Sequence, residues 1–212
     1  MIQILIFGSS TAYGVGGPHG GLGDMLKTHL HQIMYSENGP GEVCEVYNFA
    51  KPGATADFVA ATFPDQLEYY GKDGRKRIAI VHIGSNNAKA VNAPDQFVST
   101  PDEFTDLMSD LLKDIKASVD EIFVLGYRPC DESKTAPKQN LITGYSTYFT
   151  NERLTLFNNI QRKICTDLQI KFIEVSMDEN KWTENCLYKD GLHPNHQGHQ
   201  ALFESIKDLI HI

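Results

Sequence analysis

Short apolar segments alternate along the chain with longer segments in which apolar residues recur every three or four positions. The short segments are rich in Ile, Val, Leu and Phe, a composition that is typical of strands buried on both faces of a parallel sheet. The pattern therefore predicts five buried strands, at residues 2–7, 43–49, 78–83, 121–125 and 171–175.

Amphipathic helices are predicted in the segments between these strands. The clearest covers about residues 101–117, where Thr100 is a capping residue, Pro101 takes the first helical position and Glu103 follows three residues after the cap. Pro64 favours a break within one of the other helices, because proline cannot donate the helical hydrogen bond. By the spacing of their apolar residues, these other helices lie within residues 22–34, 54–70, 154–168 and 202–210.

This alternation of strands and helices predicts right-handed strand–helix–strand units and a three-layer α/β/α sandwich around a parallel sheet. The chain has 212 residues, the length of one domain, and we predict a single domain over residues 1–212. The long polar segment 127–149 predicts an insertion at the rim of the fold, acting as a rim or lid rather than a linker. Ligands of such folds bind outside the carboxyl ends of the strands, so the loops that follow them are the candidates for function.

Charge and composition exclude several classes of protein. The chain carries 19 Lys and Arg against 27 Asp and Glu, a net charge of −8, which argues against a nucleic-acid-binding surface. No apolar run approaches the ~20 residues that cross a bilayer, and the first residues lack the basic region and cleavage site of a signal peptide. The four cysteines are widely spaced and predict reduced thiols in the core of a cytoplasmic protein. The oligomeric state is not predicted.

Seven of the 17 glycines fall before residue 24 and suggest a functional loop. Their spacing matches neither of the glycine-rich phosphate-binding patterns, and the nucleophile elbow of α/β-hydrolases is absent as well. The junction that begins at Gly8 remains a candidate, because Ser9, Ser10 and Thr11 bring hydroxyl groups to the end of the first strand. Hydroxyl residues at such a point are also common helix caps, so this motif alone is weak.

Near the other end of the chain, Asp190 and His193 stand three residues apart just before a predicted helix. In one short turn the carboxylate can hold the imidazole N–H and favour the charged imidazole during proton transfer. The alternatives are a loop carboxylate with a surface histidine, or a metal site, because His196 and His199 continue the same three-residue period.

Two further loops complete a set of four motifs. Residues 48–55 follow the second strand, and residues 83–87, Ile-Gly-Ser-Asn-Asn, follow the third. Together with the first and last motifs, and in the same order over residues 1 to about 210, they resemble the four sequence blocks of the SGNH hydrolases, also called GDSL esterases or lipases. The resemblance implies a five-stranded parallel sheet of flavodoxin-like order 2-1-3-4-5.

The resemblance also implies a role for individual residues. Ser10 matches the nucleophile, His193 the base that removes its proton, and Asp190 the carboxylate that orients the base. The donors of the oxyanion hole match the backbone N–H groups of Ser10 and Gly53 and the side-chain amide of Asn86. The implied activity is hydrolysis of a small-molecule carboxylic ester, with short acyl groups such as acetyl favoured, through an acyl-enzyme and without a metal or organic cofactor.

Two positions depart from the family pattern. Ser9 stands where the first block usually has Asp, and Asn87 stands where the third block usually has Asp. Because the implied sheet order makes the first and third strands neighbours, we expect these two side chains to lie side by side in one rewired polar network that supports the site. Two alternatives stay open: a metal-dependent hydrolase that uses Asp190, His193, His196 and His199, and a catalytically weakened binding module on the same fold.

Overall fold

The computed structural model describes residues 1–72, 74–141 and 143–211, in which strands and helices alternate. In chain order these elements are β1 (Ile2–Gly8), α1 (Ser10–Tyr13), α2 (Leu22–Met34), β2 (Cys44–Asn48), α3 (Ala56–Tyr70), β3 (Lys76–His82), α4 (Ser85–Ala88), β4 (Ala90–Val91), α5 (Pro101–Ser118), β5 (Glu121–Leu125), α6 (Glu132–Thr135), β6 (Lys138–Gln139), β7 (Ser146–Tyr148), α7 (Asn151–Asp167), β8 (Lys171–Ile173), α8 (Glu179–Asn185), α9 (His196–Ile206) and a closing 3-10 turn (Lys207–Leu209).

Five of the strands form one parallel sheet in the order β2-β1-β3-β5-β8. Counted along the chain, these are the five predicted strands in the order 2-1-3-4-5, so the predicted fold class is confirmed. The last strand ends at Ile173, two residues earlier than its apolar run suggests. Strand β1 lies between β2 and β3, and its last residue, Gly8, pairs with His82 at the end of β3.

Both faces of the sheet are buried, which explains why the strands read as nearly continuous apolar runs. Successive side chains of a strand point to opposite faces. On β1, Leu5 and Phe7 belong to a cluster that α3, α5 and α7 cover, whereas Ile4 and Ile6 belong to a second cluster covered by α2 and α9. The carboxyl ends of the strands therefore form one edge between two helical layers.

The helix boundaries confirm one sequence prediction and correct another. At the start of α5, the Thr100 side chain accepts the backbone N–H of Glu103, whose carboxylate accepts the Thr100 N–H, as the capping pattern predicts. The predicted break at Pro64 is wrong, because α3 runs through it without interruption. Pro64 is exposed, while Val59 and Phe63 pack into the core; this packing holds the helix together despite the missing N–H.

Segment 127–149 contains α6, β6 and β7. Strand β7 pairs antiparallel with both β6 and β4, so these three short strands form a second sheet. Because β4 begins two residues after α4, this second sheet ties the segment to the loop that follows β3.

All four cysteines are buried and unpaired. Within the described ranges, no helix is both long and apolar enough to cross a membrane. The cytoplasmic location stays a prediction.

Candidate active site

The turn after β1 places Ser10 at the carboxyl edge of the sheet. Strand β1 ends at Gly8, where a Cβ atom would lie 2.5 Å from the Ala12 Cβ and 2.6 Å from the His82 carbonyl oxygen. Only glycine allows this close approach of the chain to α1 and β3. Ser9 is extended and buried, and Ser10 is the first residue of α1. The backbone N–H of Ser10 thus stands at a helix start, where an N–H has no acceptor within its own helix.

The hydroxyl of Ser10 contacts the imidazole of His193, although the two residues are 183 positions apart. The Ser10 Oγ lies 2.9 Å from the His193 Nε2, and the His193 Nδ1 lies 2.6 Å from the Asp190 Oδ2. The other carboxylate oxygen of Asp190 accepts the backbone N–H groups of Leu192 and His193, at 3.0 and 3.1 Å. Hydroxyl, imidazole and carboxylate therefore form one continuous hydrogen-bonded chain.

The charge on Asp190 determines which group donates in each of these hydrogen bonds. Burial raises the pKa of the Asp190 carboxyl, but hydrogen bonds from His193, from Lys138 and from the backbone outweigh burial and hold the pKa well below its usual value. An ionised carboxylate can only accept, so His193 donates its Nδ1–H to Asp190. The His193 Nε2 then has a free lone pair for the proton of the Ser10 hydroxyl, the arrangement that makes a serine nucleophilic.

Asn86 approaches this edge from the loop after β3. The turn into α4 passes through Gly84, whose φ of +114° is in the left-handed region. The Asn86 side-chain N–H₂ donates to the Ala54 carbonyl at 3.0 Å, and its oxygen accepts the Lys89 ammonium at 3.1 Å. These two contacts fix the plane of the amide and, among the residues that the structure describes, leave its second N–H free to donate.

Gly53 is adjacent to the residue that anchors Asn86. Its φ is +82°, and a Cβ atom there would meet nothing within 4 Å, so the backbone at Gly53 borders open space. The structure thus brings the Asn86 amide next to the 53–54 turn, as expected if both residues donate to one oxyanion.

The polar network around Asn87 differs from the one we predicted. The Asn87 side-chain oxygen accepts the Ala56 N–H at 2.9 Å, while its N–H₂ donates to Ser99 at 3.1 Å and to the Asp57 carboxylate at 3.3 Å. No hydrogen bond joins Ser9 to Asn87 in the ranges that the structure describes, so a network shared by these two side chains is not seen there. Asn87 lies within α4 and contacts the start of α3, whereas Ser9 immediately follows β1.

The four residues of the alternative metal site do not converge. Both ring nitrogens of His193 are engaged with Asp190 and Ser10. His199 is buried and its Nε2 bonds the Val15 carbonyl at 3.0 Å, while the His196 ring lies edge-on against His19. Among the described residues, no group of three or more His, Cys, Asp or Glu side chains is arranged to hold a metal ion. The geometry therefore disfavours this alternative.

A cavity opens beside Ser10 at the edge of the sheet. Burial lowers the pKa of His82 to about 4, so this histidine in the cavity wall is neutral at pH 7. Much of the wall is apolar, and Phe149 and Leu154 are themselves buried. Together with Ser10, Asn86 and His193, the lining includes His82, Tyr127, Phe149, Leu154 and Leu192.

Lys138 is a residue of this site that sequence reasoning missed. The Lys138 ammonium lies 2.7 Å from the Asp190 Oδ2. Lys138 is 52 residues away from Asp190 in the chain and belongs to no motif, so no sequence signal pointed to it.

Solved structures with a similar fold match nearly the whole chain. At identities this low the likeness shows the fold alone. Three of them are an α/β hydrolase from the metagenome of Lake Arreo, Spain (18% identity, TM-score 0.68, 96% of this chain and 92% of that chain), a variant of the acetyl xylan esterase Axe2 from Geobacillus stearothermophilus (16%, 0.68, 96% and 92%) and a lipase/acylhydrolase from Enterococcus faecalis (16%, 0.68, 100% and 98%).

A comparison with curated proteins finds no match. The model of the family described as GDSL-like lipase/acylhydrolase matches residues 4–206, which span all four motifs. The resemblance inferred from these motifs is thereby confirmed. The chain belongs to the GDSL-like lipase/acylhydrolase family and is a carboxylic ester hydrolase.

Proposed function

We propose that this protein is a serine esterase in which Ser10 is the nucleophile, His193 the general base and Asp190 the residue that orients the base. The observation that carries the proposal is the hydrogen-bonded chain from the Ser10 hydroxyl through the imidazole to an ionised carboxylate. A serine hydroxyl is a weak nucleophile by itself and needs an adjacent base. Here two segments far apart in the chain supply the three groups: Ser10 follows β1, whereas Asp190 and His193 share one turn.

The reaction follows from this geometry in two steps. As the Ser10 Oγ attacks the ester carbonyl, the His193 Nε2 takes the hydroxyl proton and then passes it to the leaving alkoxide, which departs as an alcohol. A water molecule next gives a proton to the same nitrogen and attacks the acyl-serine. The carboxylic acid leaves and Ser10 recovers its proton. Asp190 stays ionised throughout and stabilises the imidazolium.

The oxyanion of each tetrahedral intermediate needs fixed donors. In our proposal these are the backbone N–H groups of Ser10 and Gly53 and the free N–H of Asn86. The hydrogen bonds of Asn86 to Ala54 and Lys89 support this role, because a donor that is already held in place needs no reorganisation when charge develops.

We infer a preference for short acyl groups such as acetyl. The lining of the cavity beside Ser10 supports it, since Phe149 and Leu192 leave an apolar surface for a small acyl chain. The likeness in fold to an acetyl xylan esterase agrees with it. A series of p-nitrophenyl esters of increasing acyl length tests the preference. We expect kcat/KM to be highest for the acetate, and a maximum at the octanoate would contradict the preference for short acyl groups.

The nucleophile is tested with a fluorophosphonate probe and an ester assay. We expect the probe to label Ser10 in the folded protein, and Ser10→Ala and His193→Ala to lose roughly 10,000-fold or more in kcat. If the probe does not label folded wild-type protein, the result favours the binding-module alternative. Ester hydrolysis that survives in Ser10→Ala but is lost with a chelator would favour the metal-dependent alternative.

A further inference from the structure

The Asp190 carboxylate has a second partner besides His193. The His193 Nδ1 and the Lys138 Nζ both contact the same oxygen, Oδ2, at 2.6 and 2.7 Å. The side chains are well shielded from solvent, with exposed fractions of 14% for His193, 21% for Asp190 and 29% for Lys138. The three groups therefore form one partly buried cluster rather than an ordinary surface ion pair.

Lys138 changes the charge that His193 experiences. A carboxylate beside a histidine favours the protonated imidazole, whereas a nearby cation disfavours it. Since the ammonium shares the carboxylate oxygen, it partly offsets the effect of Asp190 on His193. It also helps to keep Asp190 ionised, in line with the lowered pKa of this carboxyl.

The position of Lys138 is set by segment 127–149. Lys138 begins β6 and pairs with Thr147 of β7, whose hydroxyl donates to the Lys138 carbonyl at 3.1 Å. Strand β7 pairs in turn with β4, which begins two residues after α4, the helix that contains Asn86. The backbone of Lys138 is thus held by a small sheet that is connected to the other side of the candidate site.

The same segment contacts the turn that carries Asp190 and His193 at a second point. The Asp131 N–H donates to the Gly191 carbonyl at 2.8 Å. At Gly191, where φ is +73°, a Cβ atom would lie 2.9 Å from the Cβ of Lys134 and 3.1 Å from that of Asp131. The 190–193 turn therefore packs directly against α6, and Lys138 acts on a turn whose backbone is already fixed.

We propose that Lys138 is a positioning residue for the Asp190–His193 pair, through which segment 127–149 sets the lower end of the pH range in which the base is active. This inference rests on the proposed function, because it assigns Lys138 an effect on the general base. The other titratable side chains around the pair include Asp131, which caps α6, and Lys134 within α6, His196 and His199 of α9, and the cavity residues His82, Tyr127 and Arg128.

The test is the pH dependence of kcat/KM for p-nitrophenyl acetate in wild type and Lys138→Met. Without the ammonium, Asp190 acts on His193 at full strength, so the imidazole stays protonated to higher pH. We expect the midpoint of the acid limb to rise by roughly half to one pH unit, as for two partly exposed charges about 5 Å apart. On the acid limb this is a loss of roughly three- to tenfold in kcat/KM, whereas the alkaline plateau changes less.

Lys138→Arg keeps the charge and should keep the wild-type midpoint. Lys134→Met is the matched control: Lys134 lies in the same segment and forms an ion pair of the same length, but with Asp131. Because its charge is paired with Asp131 and not with Asp190, it should shift the midpoint by much less than Lys138→Met. If Lys138→Met does not fold, as judged by thermal unfolding, Lys138→Gln is measured in its place with the same expected shift.

A purely structural role for Lys138 would lower the plateau of Lys138→Met and leave the midpoint in place. That result, or a profile identical to wild type, would overturn the inference. The proposed function would still stand in that case, provided that wild-type protein is active and labelled at Ser10. Failure of the proposed function is a different result, namely wild-type protein in which Ser10 is not labelled.

Discussion

Two neighbouring turns at the carboxyl edge of the sheet share one design and differ in how they hold their side chains. Strands β1 and β3 are adjacent and parallel, and each leads through a Gly-Ser pair, Gly8-Ser9 or Gly84-Ser85, into a four-residue helix, α1 or α4. In the first turn, the Ser10 hydroxyl is half-buried and contacts His193. In the second, Asn86 and Asn87 are buried, and both side chains bond to the backbone around α3.

The difference matches the two tasks that we propose. A nucleophile must reach the substrate and move during the reaction, so its side chain has few fixed partners. A donor that stabilises developing charge works best when its orientation is fixed before the reaction. The first turn therefore provides a hydroxyl hydrogen-bonded to a base, and the second provides an amide immobilised by two hydrogen bonds.

Among the variants of the second turn, the largest effect is expected from removing the immobilised amide. Asn86→Ala should lower kcat by about 100- to 1000-fold, the usual loss for one oxyanion donor, and should change KM much less. Steady-state kinetics with p-nitrophenyl acetate measures this split. The comparison between the two turns would fail if Asn86→Ala raised KM and left kcat unchanged, because Asn86 would then only bind substrate.

A second variant tests whether the close packing of the second turn matters for stability. In Gly84→Ala the new methyl group would overlap the Tyr127 hydroxyl and approach Gln161 and Phe104, at a φ of +114°. We expect a loss of about 3 kcal/mol in the free energy of unfolding, from backbone strain and overpacking together. Chemical denaturation measures the loss.

Gly41→Ala is the control for the Gly84 variant. Its φ is +80°, but a Cβ atom there meets nothing within 4 Å. It should therefore show the cost of the backbone conformation alone, about 1–2 kcal/mol. Equal losses in the two variants would mean that the packing around Gly84 contributes nothing.

The smallest effect concerns His82, whose backbone joins the two turns. Its carbonyl accepts the Ser9 N–H at 3.3 Å, and burial lowers the pKa of its side chain to about 4. At pH values between about 4 and the unfolded pKa of about 6.5, the His82 side chain binds more protons in the unfolded chain than in the folded one. The free energy of unfolding therefore decreases as the pH falls through this range. From pH 6 to 4.5 this one group should reduce the free energy of unfolding by about 2 kcal/mol.

The measurement compares the pH dependence of unfolding in wild type and His82→Gln. The variant lacks the titrating group, so its stability should fall less steeply over this range. Parallel pH profiles for the two proteins would show that His82 is protonated equally in the folded and unfolded states.

Much of the fold could be predicted from the sequence because its signals are local. The apolar runs identify the five strands of the sheet, and Thr100 with Glu103 marks the start of α5. The prediction failed at Pro64, where the packing of Val59 and Phe63 outweighs the loss of one helical hydrogen bond.

The candidate site divides in the same way. The residues that we propose for the reaction all lie in short motifs, and those of Ser10, Gly53 and Asn86 follow strands whose carboxyl ends the topology of a parallel sheet brings together. Other contacts of these motifs are made by residues outside them. Asn87 bonds to Asp57 and Ser99, and Lys138 reaches Asp190 from segment 127–149.

The sequence by itself determined the fold class, the family and the positions of the candidate nucleophile, base and carboxylate. Only the tertiary structure decided which charges and hydrogen bonds surround them. The physical reason is range: strand and helix patterns repeat within a few residues, whereas a contact such as Lys138 with Asp190 joins residues 52 positions apart. Such a contact depends on how segment 127–149 pairs with β4 and packs against the 190–193 turn, and no local pattern encodes that.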